Sequence, residues 1–144
     1  MKNICYNVKK VEKCRKKMKK CRVTITTVVD GQENTITREG EMDLSLASAT
    51  LIYREDNAAT RIHLKDEKAE VERIGDYTMR LRLIRGELTD GEIGLGGSSG
   101  GIQSFTHRVQ YSITEQSLLL SLKYDLIISG ETQKMQIRLT ARYL

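Results

Sequence analysis

The chain has 144 residues, 30% charged and 39% hydrophobic, with a formal net charge of +5. This length suits one domain, and the composition is typical of a globular protein rather than a disordered one. No apolar run is long enough to predict a transmembrane helix, and the N-terminus lacks the apolar core of a secretory signal peptide, so we expect a bacterial-type cytoplasmic protein.

The first predicted element is a basic extension over residues 1–22. It holds ten Lys/Arg and one acid, a net +9, whereas residues 23–144 hold 14 Lys/Arg and 18 acids, a net −4. Its apolar residues recur at helical spacing, which predicts an amphipathic helix or a flexible arm. The members of this stripe are Ile4, Val8, Val11, Cys14, Met18 and Cys21.

Lysines and arginines of this extension are candidates for contacts with the phosphates of nucleic acid or with another anionic surface. These candidates are Lys9, Lys10, Lys13, Arg15, Lys16, Lys17, Lys19 and Lys20. A solvated arm without a partner explains the same residues equally well. The three cysteines of the chain also lie here, and an odd number without a Cys-x-x-Cys pair indicates free thiols rather than a disulfide framework or a zinc ribbon.

From residue 23 onward the apolar period changes to two, and β-branched residues dominate. Strands are predicted at 23–29, 35–41, 50–55, 60–65, 69–74, 77–83, 102–111, 118–128 and 134–142. Asp30-Gly31 is a hairpin signal, and the Gly/Ser-rich stretch 96–101 predicts a flexible loop.

Short connections between these strands require antiparallel neighbours. We therefore predict an all-β domain over residues 23–144, a closed antiparallel barrel of about eight to ten strands. A two-sheet sandwich has the same periodicity and remains an alternative.

Five short runs in this order and spacing resemble the YwiB-type family of uncharacterised bacterial proteins. They are Tyr-Arg-Glu at 53–55, Thr-Arg-Ile at 60–62, Arg-Ile-Gly at 73–75, Gly-Ile-Gln-Ser-Phe-Thr at 101–106 and Tyr-Asp-Leu at 124–126. The resemblance covers about residues 23–144 and implies a calycin-like, lipocalin-type β-barrel. The basic extension and the stretch 96–101 depart from the family pattern. The family's function is unknown, so the resemblance implies no catalytic residues.

Alternation places two opposite charges on inward faces of the predicted strands. Glu55 shares a face with Leu51, and Arg73 shares a face with Val71. We predict that Glu55 and Arg73 form an ion pair in or at the mouth of the barrel, because an isolated buried charge is costly. Such a pair either anchors a small ligand or closes one end of a filled barrel, and the second interpretation is favoured because barrels of about eight strands are often filled by side chains. The candidate ligand-binding residues are Tyr53, Glu55, Thr60, Arg73 and Tyr124.

Signals for catalysis or metal binding are missing from the sequence. His63 is expected to face solvent, and His107 is expected to share a face with Phe105 and Val109. The two histidines have no partners at metal-ligand spacing. Gly-x-Ser-x-Gly spacing occurs only within the predicted flexible loop 96–101, which is poor ground for a preorganised nucleophile, and no Gly-Lys-Ser/Thr run follows the glycines near residue 96. We expect a protein that is not an enzyme and has no catalytic residues, metal or cofactor.

Two functions therefore remain open. One is the binding of a small apolar or amphipathic ligand in the barrel. The other is association with nucleic acid through the basic arm, with the barrel as scaffold. A monomer and a dimer are both compatible with the sequence, because an incompletely closed barrel leaves an edge for pairing.

Overall fold

A computed structural model describes residues 18–144, which form ten antiparallel strands closed into one barrel. Consecutive strands pair with one another, and β1 pairs with both β2 and β10, so no strand edge is left open. The predicted closed barrel is confirmed, and the sandwich alternative is excluded. The strands are β1 (Lys19–Val29), β2 (Gln32–Leu44), β3 (Ser48–Glu55), β4 (Ala58–Lys65), β5 (Lys68–Gly75), β6 (Tyr77–Ile84), β7 (Leu88–Leu95), β8 (Ser98–Ile113), β9 (Ser117–Ile128) and β10 (Glu131–Tyr143).

Tight two-residue turns connect several strands. At Asp30-Gly31 both residues have positive φ, 48° and 87°, which matches the right-handed twist of the flanking strands in a hairpin. Gly96-Gly97 forms a second turn of this kind, with φ of 56° and 87°. The predicted flexible loop 96–101 is therefore wrong in extent, because β8 already begins at Ser98. Residues without bulky side chains still pair along a sheet when the turn sets their register.

The barrel interior differs between its two ends. At the packed end, where β2 leads to β3 and β8 leads to β9, interior side chains such as Met42, Leu64, Leu83 and Leu118 are fully buried. At the open end, defined by the turns after β1, β3, β5, β7 and β9, several interior apolar side chains are only half-buried. These side chains are Ile36, Met79, Ile93, Ile128 and Met135. Half-buried apolar side chains also occur at the packed end, at Leu44, Ile113 and Tyr143, so the fully buried core lies between the two ends of the barrel.

The N-terminal boundary differs from the prediction. β1 begins at Lys19, four residues before the predicted start of the barrel, and Cys21 is a fully buried core residue of that strand. The helical stripe is thus wrong for Met18 and Cys21, because pairing of β1 with β2 and β10 outweighs a local helical period. The rest of the predicted helix, residues 1–17, lies outside the described residues.

A β-bulge in β8 changes which residues after Thr106 face the core, so one predicted assignment is wrong. The register between β8 and β9 shifts between Thr106 and Arg108, so one residue is added on β8 alone. Val109 therefore points into the core, whereas His107 is exposed. His107 still shares the outer face with Phe105, and their rings meet edge to face at 5.1 Å. The prediction that Val109 lies on the same face is wrong.

Candidate functional site

Three of the five sequence-predicted ligand residues form one row across the inner surface of the open end. Tyr53 on β3 is directly opposite Thr60 on β4, and Thr60 is directly opposite Arg73 on β5. Residues directly opposite in antiparallel strands point to the same side of the sheet, with Cβ atoms about 5 Å apart. Tyr53 and Thr60 are buried, at 8% and 7% exposure. Strand register thus aligns a phenol, a hydroxyl and a guanidinium.

The Arg73 guanidinium is held by its own hairpin. Its Nη2 lies 2.8 Å from Oδ1 of Asp76, and its Nη1 donates to the carbonyl of Tyr77 at 2.8 Å. The guanidinium carbon lies 3.8 Å from the centre of the Tyr77 ring, a cation–π contact. The Arg73 side chain is only 18% exposed, whereas Asp76 is 65% exposed. These contacts fix a mostly buried cation at the open end.

The predicted ion pair between Glu55 and Arg73 is replaced by the pair of Arg73 with Asp76. Glu55 is the last residue of β3 and is exposed at the rim. Asp76 lies three residues after Arg73, so the β5–β6 turn delivers its carboxylate directly. The predicted strand 50–55 ends at Glu55 as observed, but the sequence did not reveal that the β5–β6 turn supplies a different carboxylate to Arg73.

Two tyrosine hydroxyls keep their protons at this end. Burial raises the pKa of Tyr53, with Thr60 opposing that effect. Burial also raises the pKa of Tyr124, and the neighbouring Tyr53 and Tyr77 raise it further. Tyr124 is 2% exposed. The tyrosines therefore present neutral O–H groups, which donate or accept hydrogen bonds, next to the Arg73 cation.

Apolar side chains complete the surroundings. Met79 is directly opposite Arg73, and Ile93 is directly opposite Met79, so both extend the row. Both are half-buried, and Leu95 at the end of β7 is 67% exposed. Gly100 follows Ile93 in the row, and a Cβ built there meets nothing within 4 Å. We call Tyr53, Thr60, Arg73, Tyr77, Met79, Ile93, Gly100 and Tyr124 the open-end site.

A cavity of about 290 Å³ lies at the rim of the open end. Asp76, Tyr77 and the turn residues Gly96 and Gly97 contribute to its lining. A groove of similar volume crosses the outer face of β5, β6 and β7. Charged side chains dominate that groove, and they alternate in sign from strand to strand, as expected for cross-strand stabilisation. The rim cavity is lined by Asp76 and Tyr77, the two residues that hold the Arg73 guanidinium, but not by Arg73 itself.

Sequence reasoning missed Asp76 and Tyr77 as parts of this site. Tyr77 shares the alternating face of Met79, Leu81 and Leu83, which is a signal for an inward position. A buried Thr106 on β8, directly opposite Tyr124, was missed as well. Its Oγ1 has no hydrogen-bond partner among the described residues. Nothing in the local sequence distinguishes that threonine from its outward-facing counterparts.

The candidate residues for phosphate contacts are mostly outside the structure's description. Lys19 and Lys20 are exposed at the start of β1, at the packed end, away from the open-end site. The other six, Lys9, Lys10, Lys13, Arg15, Lys16 and Lys17, lie in residues 1–17, outside the described residues.

The histidines have local partners on the outer face. His63 Nδ1 is 2.8 Å from Oγ1 of Thr50, and His107 Nε2 is 3.0 Å from Oδ2 of Asp125. Burial and the nearby Arg61 lower the pKa of His63. Within residues 18–144, no three His, Cys, Asp or Glu side chains converge on a common point where a metal ion could be held. Nor does that part of the chain form a helix long and apolar enough to cross a membrane.

Comparisons with known proteins identify a family and a fold. The family model described as "Domain of unknown function (DUF1934)" matches residues 45–140, which are 96 of the 144 residues. The structure is similar to the crystal structure of the ywiB protein from Bacillus subtilis, with a TM-score of 0.75 and 18% sequence identity. That similarity covers 91% of this chain and 98% of the Bacillus protein, and it confirms the predicted resemblance. No curated protein sequence matches the chain.

Proposed function

We propose that this chain, which belongs to the DUF1934 family, binds a small amphipathic ligand at the open end of its barrel. The observation that carries the proposal is Arg73, a mostly buried cation set among tyrosine hydroxyls and half-buried apolar side chains. Ligand sites combine a largely apolar lining with a few fixed polar groups in this way. The proposal concerns binding and assigns no catalytic step.

The hydrogen bonds of Arg73 leave room for a ligand. A guanidinium has five N–H donors, and the two bonds to Asp76 and Tyr77 use two of them. A buried guanidinium is favourable only when its donors and charge are matched. The acidic partner Asp76 is itself mostly exposed, so its attraction is weakened by solvent. A ligand oxygen can accept from one of the remaining donors of Arg73.

Packing limits the size of the ligand. Fully buried side chains such as Met42, Leu51, Leu64 and Leu83 fill the barrel interior beyond the row. A long alkyl chain therefore has no space beyond the row that contains Tyr53 and Arg73. The ligand we propose is short, with a hydrogen-bond-accepting polar end at Arg73 and an apolar body against Met79, Ile93 and Leu95.

A fluorescence titration of the full chain with 1-anilinonaphthalene-8-sulfonate tests this proposal, because this probe combines an anionic group with an apolar body. We expect saturable binding that Arg73→Met weakens about tenfold or more, since hydrogen bonds to charged groups contribute about 1.5–3 kcal/mol. Arg54→Met is the matched control, because Arg54 lies on β3 but faces outward and is exposed. It should leave the affinity unchanged.

Far-UV circular dichroism shows whether Arg73→Met folds. If it does not, a second variant tests the proposal. Gly100→Leu places a side chain into the open space of the row. We expect it to block the probe while the barrel remains folded. Equal affinity of the wild type and both site variants, or the absence of saturable binding, would refute the proposal.

A further inference from the structure

One outer face of the barrel is rich in basic residues. It is formed by outward-facing positions of β8, β9, β10 and β1, which are adjacent in the barrel. Its basic members are Arg22, Arg108, Lys123, Lys134, Arg138 and Arg142, which we call the basic face. Arg22 follows closely on the exposed Lys19 and Lys20 at the start of β1. The positive charge of the N-terminal residues therefore continues onto the barrel wall.

Two pairs of like charges are directly opposed on this face. Arg22 on β1 is directly opposite Arg142 on β10, and Arg108 on β8 is directly opposite Lys123 on β9. Like charges in directly opposite positions destabilise a sheet. Packing in the core does not explain either pair, because the side chains of Arg22, Lys123 and Arg142 are exposed. The fold itself does not account for this arrangement.

The far side of the same barrel shows the contrary arrangement. There Arg61, Glu72, Arg80 and Glu92 follow one another across β4 to β7 with alternating sign, and Glu72 and Arg80 lie 3.2 Å apart. One directly opposed basic pair, Lys65 and Lys68, occurs on that side, and it flanks the acidic turn Asp66-Glu67. On the far side, most directly opposed charges are therefore of opposite sign and attract each other, as expected when they serve the stability of the sheet.

Acidic residues partly neutralise three of the six basic members. Glu33 contacts Arg138 at 3.3 Å, and Glu39 and Asp125 are directly opposite Arg22 and Lys134. Arg108, Lys123 and Arg142 have no directly opposed acid among the described residues, and the carboxylate of Asp125 contacts His107 at 3.0 Å. The remaining outward positions are mainly hydroxyls and amides. They include Thr24, Thr26, Gln110, Ser112, Ser117, Ser121, Gln136 and Thr140.

The spacing of the basic groups suits an extended polyanion. Arg142 and Arg138 are four residues apart on β10, which is about 13 Å along a strand. Lys123 is directly opposite Gln136, two residues further along β10, so the charges span about 20 Å. A row of phosphates distributes negative charge over this length, whereas a single small anion meets one pair at a time.

We propose that the basic face binds the phosphate backbone of single-stranded nucleic acid. Hydroxyl and amide side chains between the cations supply hydrogen-bond donors to phosphate oxygens. Among the outward residues of this face, Leu119 is the one large apolar side chain that is more than half exposed, so the face has little to insert into a lipid bilayer. It also presents no exposed tyrosine for base stacking, so binding is independent of sequence.

Fluorescence anisotropy of the full chain with a labelled single-stranded RNA of mixed sequence tests this proposal over a range of salt concentrations. The plot of log K against log salt should fall by about 0.7 for each phosphate contacted. The double variant R22Q/R142Q should therefore reduce the magnitude of the slope by about 1.4. R108Q/K123Q should have a similar effect. Both should remain folded at the assay temperature, because each variant removes a like-charge repulsion.

The matched control is K65Q/K68Q, which removes two directly opposed positive charges from the far side of the barrel. It lowers the net charge equally and should leave the slope unchanged. Equal slopes for the wild type and all three variants would overturn the proposal and assign any RNA binding to the N-terminal residues. Binding to anionic phospholipid vesicles in place of RNA, with the same dependence on the basic face, would overturn it as well.

Discussion

The hydroxyl of Thr106 provides the most direct test of how the barrel interior is built. Thr106 lies on β8 with no exposed surface, and its Oγ1 has no hydrogen-bond partner among the described residues. The backbone of the same residue is satisfied: its carbonyl accepts from Gly86 at 2.8 Å, and its amide donates to Glu87 at 3.3 Å. The unpartnered group is therefore the side-chain hydroxyl alone. Thr106→Val replaces that hydroxyl by a methyl group of similar size.

We expect Thr106→Val to stabilise the protein. Burial of a hydroxyl without a hydrogen bond costs about 1–3 kcal/mol in proteins, and valine keeps the β-branched shape that suits a strand. The free energy of unfolding should rise by about 1–2 kcal/mol. The melting temperature should rise by roughly 2–4 °C for each kcal/mol in a domain of this size.

Urea denaturation followed by circular dichroism measures this change, and an unchanged m-value shows that the same surface is exposed on unfolding. Thr140→Val on β10 is the control, because Thr140 is exposed and its replacement should alter stability by less than about 0.5 kcal/mol. A loss of stability in Thr106→Val would refute the reasoning, since it would show that the buried hydroxyl is hydrogen-bonded in solution.

Three further predictions concern other parts of the barrel. Leu139→Ala should lower the free energy of unfolding by about 2–5 kcal/mol in a urea titration, because Leu139 is 2% exposed in the core; a loss under about 0.5 kcal/mol would contradict its inward position. The hydrogen bond from Arg73 holds the pKa of Asp76 below its ordinary value. Asp76 therefore stabilises the fold above the ordinary aspartate pKa of about 3.9, and this contribution is lost as the pH falls through the lowered value. Melting temperatures between pH 2 and pH 6 should accordingly converge for the wild type and Asp76→Asn at the acid end, and a constant gap would contradict the linkage. Burial raises the pKa of Cys21 to about 11, so in a variant with serine at the two other cysteines this thiol should resist Ellman's reagent at pH 8 until the protein is unfolded; rapid labelling of the native protein would contradict its burial.

The barrel itself could be predicted from local signals. Alternation of apolar residues in segments such as 134–142 and the hairpin turn at Asp30-Gly31 each depend on neighbouring residues only. Because the connections between strands are short, neighbouring strands must be antiparallel. With this many antiparallel strands, few architectures other than a barrel or a two-sheet sandwich remain. The structure confirms this barrel.

Prediction was less successful at the ends of strands and at the bulge. β1 and β8 begin earlier than predicted, at Lys19 and Ser98, and the partner of Arg73 depends on the conformation of the β5–β6 turn. The added residue in β8 changes which of its later positions face inward, and it leaves no compositional trace at His107. Each of these features arises from strand register, which is set by contacts between distant segments.

The sequence by itself determined nine of the ten strand segments, most of their apolar faces, and that the N-terminal region is basic, because these properties follow from the order of the side chains along the chain. β7, Leu88–Leu95, was not predicted. Only the tertiary structure decided that Tyr53, Thr60 and Arg73 form one row, and that Arg22 and Arg142 repel each other across the outer face. Periodicity assigns each residue to a face of its own strand. The level at which two strands meet depends on the closure of the whole barrel, so the contacts from which both proposals are argued appear only when every strand is in register.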